Sequence, residues 1–533
     1  MDAATGIACV CVALITLMIS WCSNWEKRWK YRHIPGPAYS FPLGNMATVR
    51  KKSMFRAYTD WQAQYGDTFK IFFVRRPVVV TTDPVLARQI TVKDFSNFHD
   101  RFIPNLGSSL HSGHRRESEH ASMAAARGPY WGSLRAGAQP MFHNDNLKEY
   151  AGTINQAVDD LINNLRVVAK TGEQVDMHGQ LGRLTMQVIG AAAFGVKFDT
   201  QNAAAGDDIP LVKATKAFWA NGRPTFWTLC SFVAPPVVMP LIRVLARAFP
   251  SQQLVDFEDA LATLYDASDC LIKNTKRKYY GDSKEAAPWK WFKSNPTNPY
   301  KDTVPAESSI ISKLLEANNK ATDTNFTHMQ IATQTNLIML AGYETTANTL
   351  AFCIYLLARH PHAQQQLLQE VDGFKGSIGY ETLSEFPYAA AVVNEALRLY
   401  PPGPTLSRIS LKDTKLGDYY LPKGTPVHIN LWAIQHDERY WQDAQSFKPE
   451  RWVGDRTGGD RTGGMAYMPF GLGPRMCIGI KLALEEAIIA LVRLYQTYTF
   501  KLPSDLLQHA IEVKQTLTIS PKNGVPVTVV QRT

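Results

Sequence analysis

The sequence predicts a mostly α-helical body with a small β part, preceded by a single N-terminal transmembrane helix. Three observations lead there. Beyond the first hundred or so residues, long stretches carry apolar residues at helical spacing. Runs rich in β-branched and aromatic residues are short, and fall at 67–82 and near the end of the chain. A charge-free apolar run occupies residues 6–21.

The apolar run, "GIACVCVALITLMISW", is near the shortest length that spans a bilayer. A secretory signal peptide is the rival reading. Against it, the run is led by an acid, Asp2, and no small-x-small cleavage site precedes the basic cluster of Lys27, Arg28, Lys30 and Arg32. The basic flank follows the apolar run, so it and everything after it are expected on the cytoplasmic side. Trp21, Trp25 and Trp29 suit an interfacial belt. Pro35, Gly36, Pro37 and Pro42 then stop any helix and mark a stiff hinge. On this reading the chain divides into an anchor with its basic flank (1–33), a Pro/Gly-rich hinge (34–46) and one body (47–533).

Within the body, "DTFKIFFVRRPVVVTT" (67–82) reads as two strands broken at Arg75, Arg76 and Pro77. Helices are expected over 147–170, over 182–195, over the long run 327–359, and over 362–373, 389–399 and 476–497. "TLTIS" and "VPVTVVQR" read as short closing strands. Two stretches read as loops: 107–128, polar and rich in His, Ser and Arg, and 281–307, with Pro288, Pro296, Pro299 and Pro305 around "WKWF".

The chain has 533 residues, 45% hydrophobic and 20% charged, enough for a large core. Length alone would suggest several domains, but no break in composition supports that. The net charge of +10 is spread without a block of like charges. It fits a solvated basic surface, or contact with anionic lipid or an acidic protein. No finger, basic zipper or aromatic RNA-binding signature is present, which argues against nucleic acid. The seven cysteines form no CxxC and no disulfide framework, as in a reducing compartment.

One short stretch concentrates unusual chemistry. "PFGLGPRMCIG", residues 469–479, holds Cys477 among three glycines, two prolines and Arg475. Phe470, Gly473, Arg475, Cys477 and Gly479 fit the spacing FxxGxRxCxG. This resembles the haem-ligand loop of the cytochrome P450 family, the haem-thiolate monooxygenases. The resemblance implies haem b as cofactor, with Cys477 as the thiolate that ligates its iron and favours O–O cleavage. Glycines let backbone N–H groups approach the sulfur and tune the metal. Arg475 is then a partner for a haem propionate, and Phe470 a residue packing beside the sulfur.

Other segments carry the same resemblance in the family's order. "WGSLR" supplies Trp131 and Arg135 at i, i+4, a propionate-binding pair, and Arg408 in "GPTLSRIS" matches a further propionate arginine. "AGYETT", residues 341–346, resembles the oxygen-activating segment of the long central helix. There Glu344 and Thr345 would be the acid–alcohol pair that delivers protons, with Ala341 lining the substrate pocket. Gly342, costly inside a helix by about 1 kcal/mol, implies a close approach or a distortion. Glu395 and Arg398 in "NEALRLYPP", with Arg451 in "FKPERW", resemble the buried ExxR network that ties a helix to the cysteine loop.

Several implications follow from the family. The fold would be the cytochrome P450 fold, with residues 47–533 as the haem-binding catalytic domain. The enzyme would oxidise an apolar small molecule, hydroxylating or epoxidising an isoprenoid, sterol or fatty-acid derivative. Electrons would come from NADPH through a separate NADPH–cytochrome P450 reductase, with cytochrome b5 as an accessory donor, since the chain has no flavin or nicotinamide motif. The site would face the cytosol from the endoplasmic reticulum membrane; a plastid address is the alternative. "AGYETT", "AAAFGVKF" and "RFIP" resemble the branch with animal drug-metabolising enzymes, thromboxane synthase and plant carlactone oxidases, and "DFSNFHDRFIP" resembles the last of these. Two other readings stay open: a haem-thiolate isomerase or dehydratase acting on a peroxide without O2, and a haem-binding protein without catalysis.

Overall fold

The structure is a computed structural model describing residues 25–103, 122–201, 209–222, 225–233, 238–281, 298–320, 326–455 and 457–532. The apolar run at 6–21 and most of the two loop stretches, 107–128 and 281–307, lie outside the described residues. The chain forms two compact units. One takes its residues from Met1–Arg116, Asn221–Asp256 and Thr405–Ile434; the other from Glu117–Ala220, Phe257–Pro404 and Gln435–Thr533.

The first unit is built on a four-stranded sheet. Strands β1 (Thr68–Phe73) and β2 (Arg76–Thr81) form the expected antiparallel hairpin. Its turn falls at Val74 and Arg75, with Val74 in the left-handed region at φ 55°, so Arg76 and Pro77 belong to β2. Strand β4 (Thr405–Ile409) and strand β7 (Pro426–Asn430) complete the sheet in the order β1-β2-β7-β4, with β7 parallel to β2. Strands β4 and β7 escaped the sequence reading, as did the separate antiparallel pair β5 (Thr414–Leu416) and β6 (Tyr419–Leu421) that lies between them in the chain. Every residue of β7 is buried, and a strand covered on both faces lacks the alternation that marks a half-exposed one. Helix α1 (Met54–Tyr65) packs Tyr58 and Trp61 onto Phe69, Ile71, Val78 and Val80. The Pro/Gly-rich segment is docked on the sheet edge: Lys70 N donates to Pro35 O at 2.7 Å, and Phe72 N donates to Asn45 Oδ1 at 2.8 Å.

The second unit is mostly helical. Its axis is helix α5 (His328–Arg359), apolar on all sides because it is surrounded. It alone among the described residues is long and apolar enough to cross a membrane, and its burial marks it as a core helix. Thr327 caps it: Oγ1 accepts from Gln330 N at 3.2 Å while Gln330 Oε1 accepts from Thr327 N at 2.6 Å. Around it stand α2 (Gly128–Ala138), α3 (Asn144–Thr171), α4 (Met177–Phe194), α6 (Pro387–Leu399) and α7 (Ile480–Thr497). The small β part of this unit is a sheet in which β11 (Pro526–Gln531) lies between β3 (Gln174–Asp176) and β8 (Tyr498–Lys501). A hairpin of β9 (Val513–Gln515) and β10 (Ile519–Pro521) accompanies it. "TLTIS" is therefore not one strand: Thr516 N donates to Thr518 O at 2.9 Å, a turn, and only its last residues extend.

Candidate active site

The cysteine loop is closed by its own backbone. Cys477 N donates to Phe470 O at 2.9 Å, and Met476 N to Gly473 O at 3.0 Å. Gly471 and Gly473 have φ 76° and 71°, a region that side chains disfavour. These bonds keep residues 476–479 out of the helix expected from 476; α7 starts at Ile480, with Gly479 at its N-cap. Gly471 and Arg475 are buried, yet the side chain of Cys477 is exposed.

Helix α2 lies against this loop. Arg135 donates from Nη1 to Met476 O at 2.7 Å. The Arg475 guanidinium lies 4.4 Å from the centre of the Trp131 ring, a cation–π contact, and Nη2 donates to Ala126 O. Burial pulls the Arg135 guanidinium below its usual pKa, and the nearby Cys477 sulfur works in the opposite direction. Trp131, Arg135, Arg475 and Cys477 are thus one cluster, in which the Arg135 guanidinium is the cation that acts on the sulfur. Such surroundings favour a thiolate. Arg408 belongs to the first unit, on β4, where it is buried and donates from Nη1 to Ser407 O at 2.8 Å.

The loop is also tied to α6. Arg398 forks onto Glu395, Nε to Oε2 at 2.9 Å and Nη2 to Oε1 at 2.8 Å, and both residues are 0% exposed. Arg451 Nε reaches Glu395 Oε1 at 3.2 Å. Burial alone would raise the Glu395 carboxyl, but Arg398, Arg451 and the Trp452 indole N–H outweigh it and hold the group below the usual carboxylate range. Arg398 also donates to the carbonyls of Gln435, Ala444 and Ser446. Gln435 is the link that sequence reasoning missed. Its amide donates to Leu397 O and Arg398 O, and its Oε1 accepts from Met468 N at 3.2 Å, next to the loop. A buried glutamine carries no spacing signal, so nothing in the sequence singled it out.

Comparison with known proteins decides the family. The family model for Cytochrome P450 matches residues 34–527. The chain belongs to the cytochrome P450 family. It is similar to cytochrome P450 3A41 of Mus musculus, 28% identical over 97% of this chain and 95% of the relative. It is also similar to cytochrome P450 3A14 of Cavia porcellus (30%, 94% and 91%) and cytochrome P450 3A5 of Homo sapiens (29%, 88% and 85%). The protein is a cytochrome P450 monooxygenase whose cofactor is haem b with a cysteine thiolate as axial ligand.

The residues present fit such a group. In this P450, α5 is buried from Ile331 to Leu340 except for half-buried Leu337, and again from Thr346, but Ala341 is exposed and 342–345 are half-buried. The core helix therefore opens at the "AGYET" segment. Thr345 Oγ1 bonds back to Ala341 O at 2.7 Å. Gly342 meets the expected close approach: a Cβ there would lie 2.6 Å from Ile189 Cδ1 of α4. Burial pushes the Glu344 carboxyl up, against the pull of Thr518, Lys514 and Asn348. One exposed thiol in a rigid loop, flanking guanidinium groups and an opened helix suit a flat macrocycle with anionic arms. A cavity of about 790 Å³ lined by Asp160, Arg183, Lys197 and Asp199 is a separate, polar feature and shares none of these residues.

Proposed function

We propose that Cys477 is the axial thiolate, and that the enzyme inserts one atom of O2 into an apolar small molecule of the isoprenoid, sterol or fatty-acid type. The observation that carries this is the state of the described cysteines. Burial pushes the thiols of Cys230, Cys270 and Cys353 up, whereas Cys477 is exposed beside Arg135. Bound haem supplies the oxygen-activating chemistry. The chain's residues do the rest. Trp131, Arg135, Arg475 and Arg408 hold the propionates, and Phe470 packs beside the sulfur. Glu344 holds a proton and passes it on, while the Thr345 hydroxyl orients it towards the oxygen side. Ala341 leaves room for substrate. Glu395, Arg398 and Arg451 fix the loop.

Electrons arrive from NADPH through a separate cytochrome P450 reductase, with cytochrome b5 as accessory. Residues 1–33 anchor the chain in the endoplasmic reticulum membrane as a single pass, 34–46 connect it, and 47–533 form the cytosolic catalytic domain. Exposed Trp29, Phe41, Phe226, Leu241, Val244 and Phe249, all in the first unit, support membrane contact. Turnover with reductase, NADPH and isotopically labelled O2 tests the reading. One labelled atom should enter each product molecule per cycle. Unlabelled product, formed at the same rate without reductase, would establish the isomerase reading instead.

A further inference from the structure

On α5, Asn348 lies one turn beyond Glu344, so the two side chains share a helix face. Asn348 is fully buried, and its Oδ1 accepts from His178 Nε2 at 2.7 Å. His178 is half-buried in the first turn of α4, where its backbone N–H donates to Oδ1 of the exposed Asp176 at 3.0 Å. A polar line therefore runs from solvent at Asp176 and His178, past Asn348, to the Glu344 carboxyl. Three buried polar atoms lie along it without a hydrogen bond of ordinary geometry among the described residues, Glu344 Oε2, Asn348 Nδ2 and Thr518 Oγ1, although Thr518 and Asn348 still act on the Glu344 carboxyl as hydrogen-bonding neighbours. Buried polar atoms in this condition are the ones that bridging water satisfies.

We propose that His178 is the outer proton donor of this enzyme, taking protons from solvent and passing them to Glu344 through the polar space beside Asn348. The proposal rests on the reading of Glu344 as the proton source for oxygen chemistry. In each transfer the His178 imidazolium loses one proton and becomes neutral. The Glu344 carboxylate gains that proton, by way of water, and His178 is recharged from bulk solvent. Asn348 positions the imidazole and does not ionise. Burial lowers the pKa of His178 and raises that of Glu344, which brings the two proton affinities together. The charged groups facing the pair are Asp176, which raises His178, and Lys514, which lowers both His178 and Glu344.

A purely structural His178–Asn348 bond needs only a donor; a relay needs a group that titrates. His178→Gln keeps an N–H for Asn348 Oδ1 and removes the titration. The first readout is the infrared titration of the Glu344 carboxyl in the resting holoenzyme, without O2 or NADPH, its band identified by its loss in Glu344→Gln. The second is the share of NADPH electrons released as hydrogen peroxide, followed against pH. In His178→Gln, melting should match wild type, the Glu344 titration should shift, and the peroxide share should rise severalfold with an altered pH profile. The exposed Lys514→Gln is a second variant that disturbs no buried packing, and should raise the Glu344 midpoint. Wild-type Glu344 titration and pH profile in both variants would overturn the proposal. Unchanged coupling in Glu344→Gln would instead remove the reading of Glu344 on which it stands.

Discussion

At the scale of single residues, Glu395 is the position where charge and burial are most finely opposed. Its carboxylate is dry and takes donors from Arg398, Arg451, Trp452 and Lys448 N. Removing it leaves the Arg398 guanidinium buried without its counter-ion, a loss of about 3–5 kcal/mol. Glu395→Ala should therefore lower the melting temperature and the yield of haem-loaded protein together. The sequence made this pair legible by its i, i+3 spacing, and the motif order gave it a place. A second residue-scale feature had no such signal. Glu485 and Glu486 on α7 are buried; burial raises Glu485 to about 8 and holds Glu486 well above the usual range. Folded, these groups keep protons that the unfolded chain releases above the ordinary carboxylate range. Stability from them is thus lost as pH rises from that range towards about 8. Glu486→Gln should flatten the fall in melting temperature over that window, and an unaltered pH slope would count against it.

At the scale of elements, α5 and α4 are matched by a glycine. Gly342 admits Ile189, and overpacking that contact costs about 1–3 kcal/mol. Gly342→Ala should destabilise the protein, and adding Ile189→Ala should recover part of the loss in a double-mutant cycle of melting temperatures. At the other end of the same helix, Thr327→Ala removes the reciprocal cap and should cost about 1 kcal/mol. "NFT" at 325–327 matches a glycosylation motif, but Asn325 lies outside the described residues and the Thr327 hydroxyl is the helix cap. Strong periodicity made α3, α4, α5 and α6 readable to within a few residues. The start of α7 was misplaced because a backbone bond from Cys477 to Phe470, invisible to periodicity, holds the preceding residues in a loop.

At the scale of the whole molecule, the motif set was readable because each segment carries its own local spacing. What brings Trp131 and Arg135 to the cysteine loop is tertiary: the two lie more than three hundred residues away in sequence, and the structure joins Arg135 to the Met476 carbonyl and Trp131 to the Arg475 guanidinium. Strand β7 was lost for the same reason, since pairing across the chain leaves little trace in a strand buried along its whole length. A chain lacking residues 1–24 should keep its haem spectrum and move from the membrane fraction towards the soluble one; loss of the spectrum would make that segment part of the body. Haem loading should itself raise the melting temperature, since a ligand that binds only the folded form stabilises it. The most direct measurement is the absorption spectrum of the reduced, carbon-monoxide-bound holoprotein, wild type beside Cys477→Ala. The red-shifted band of a thiolate-ligated haem is expected in wild type and absent in the variant. A wild-type spectrum without that band, or a band that survives Cys477→Ala, would contradict the assignment of the sulfur.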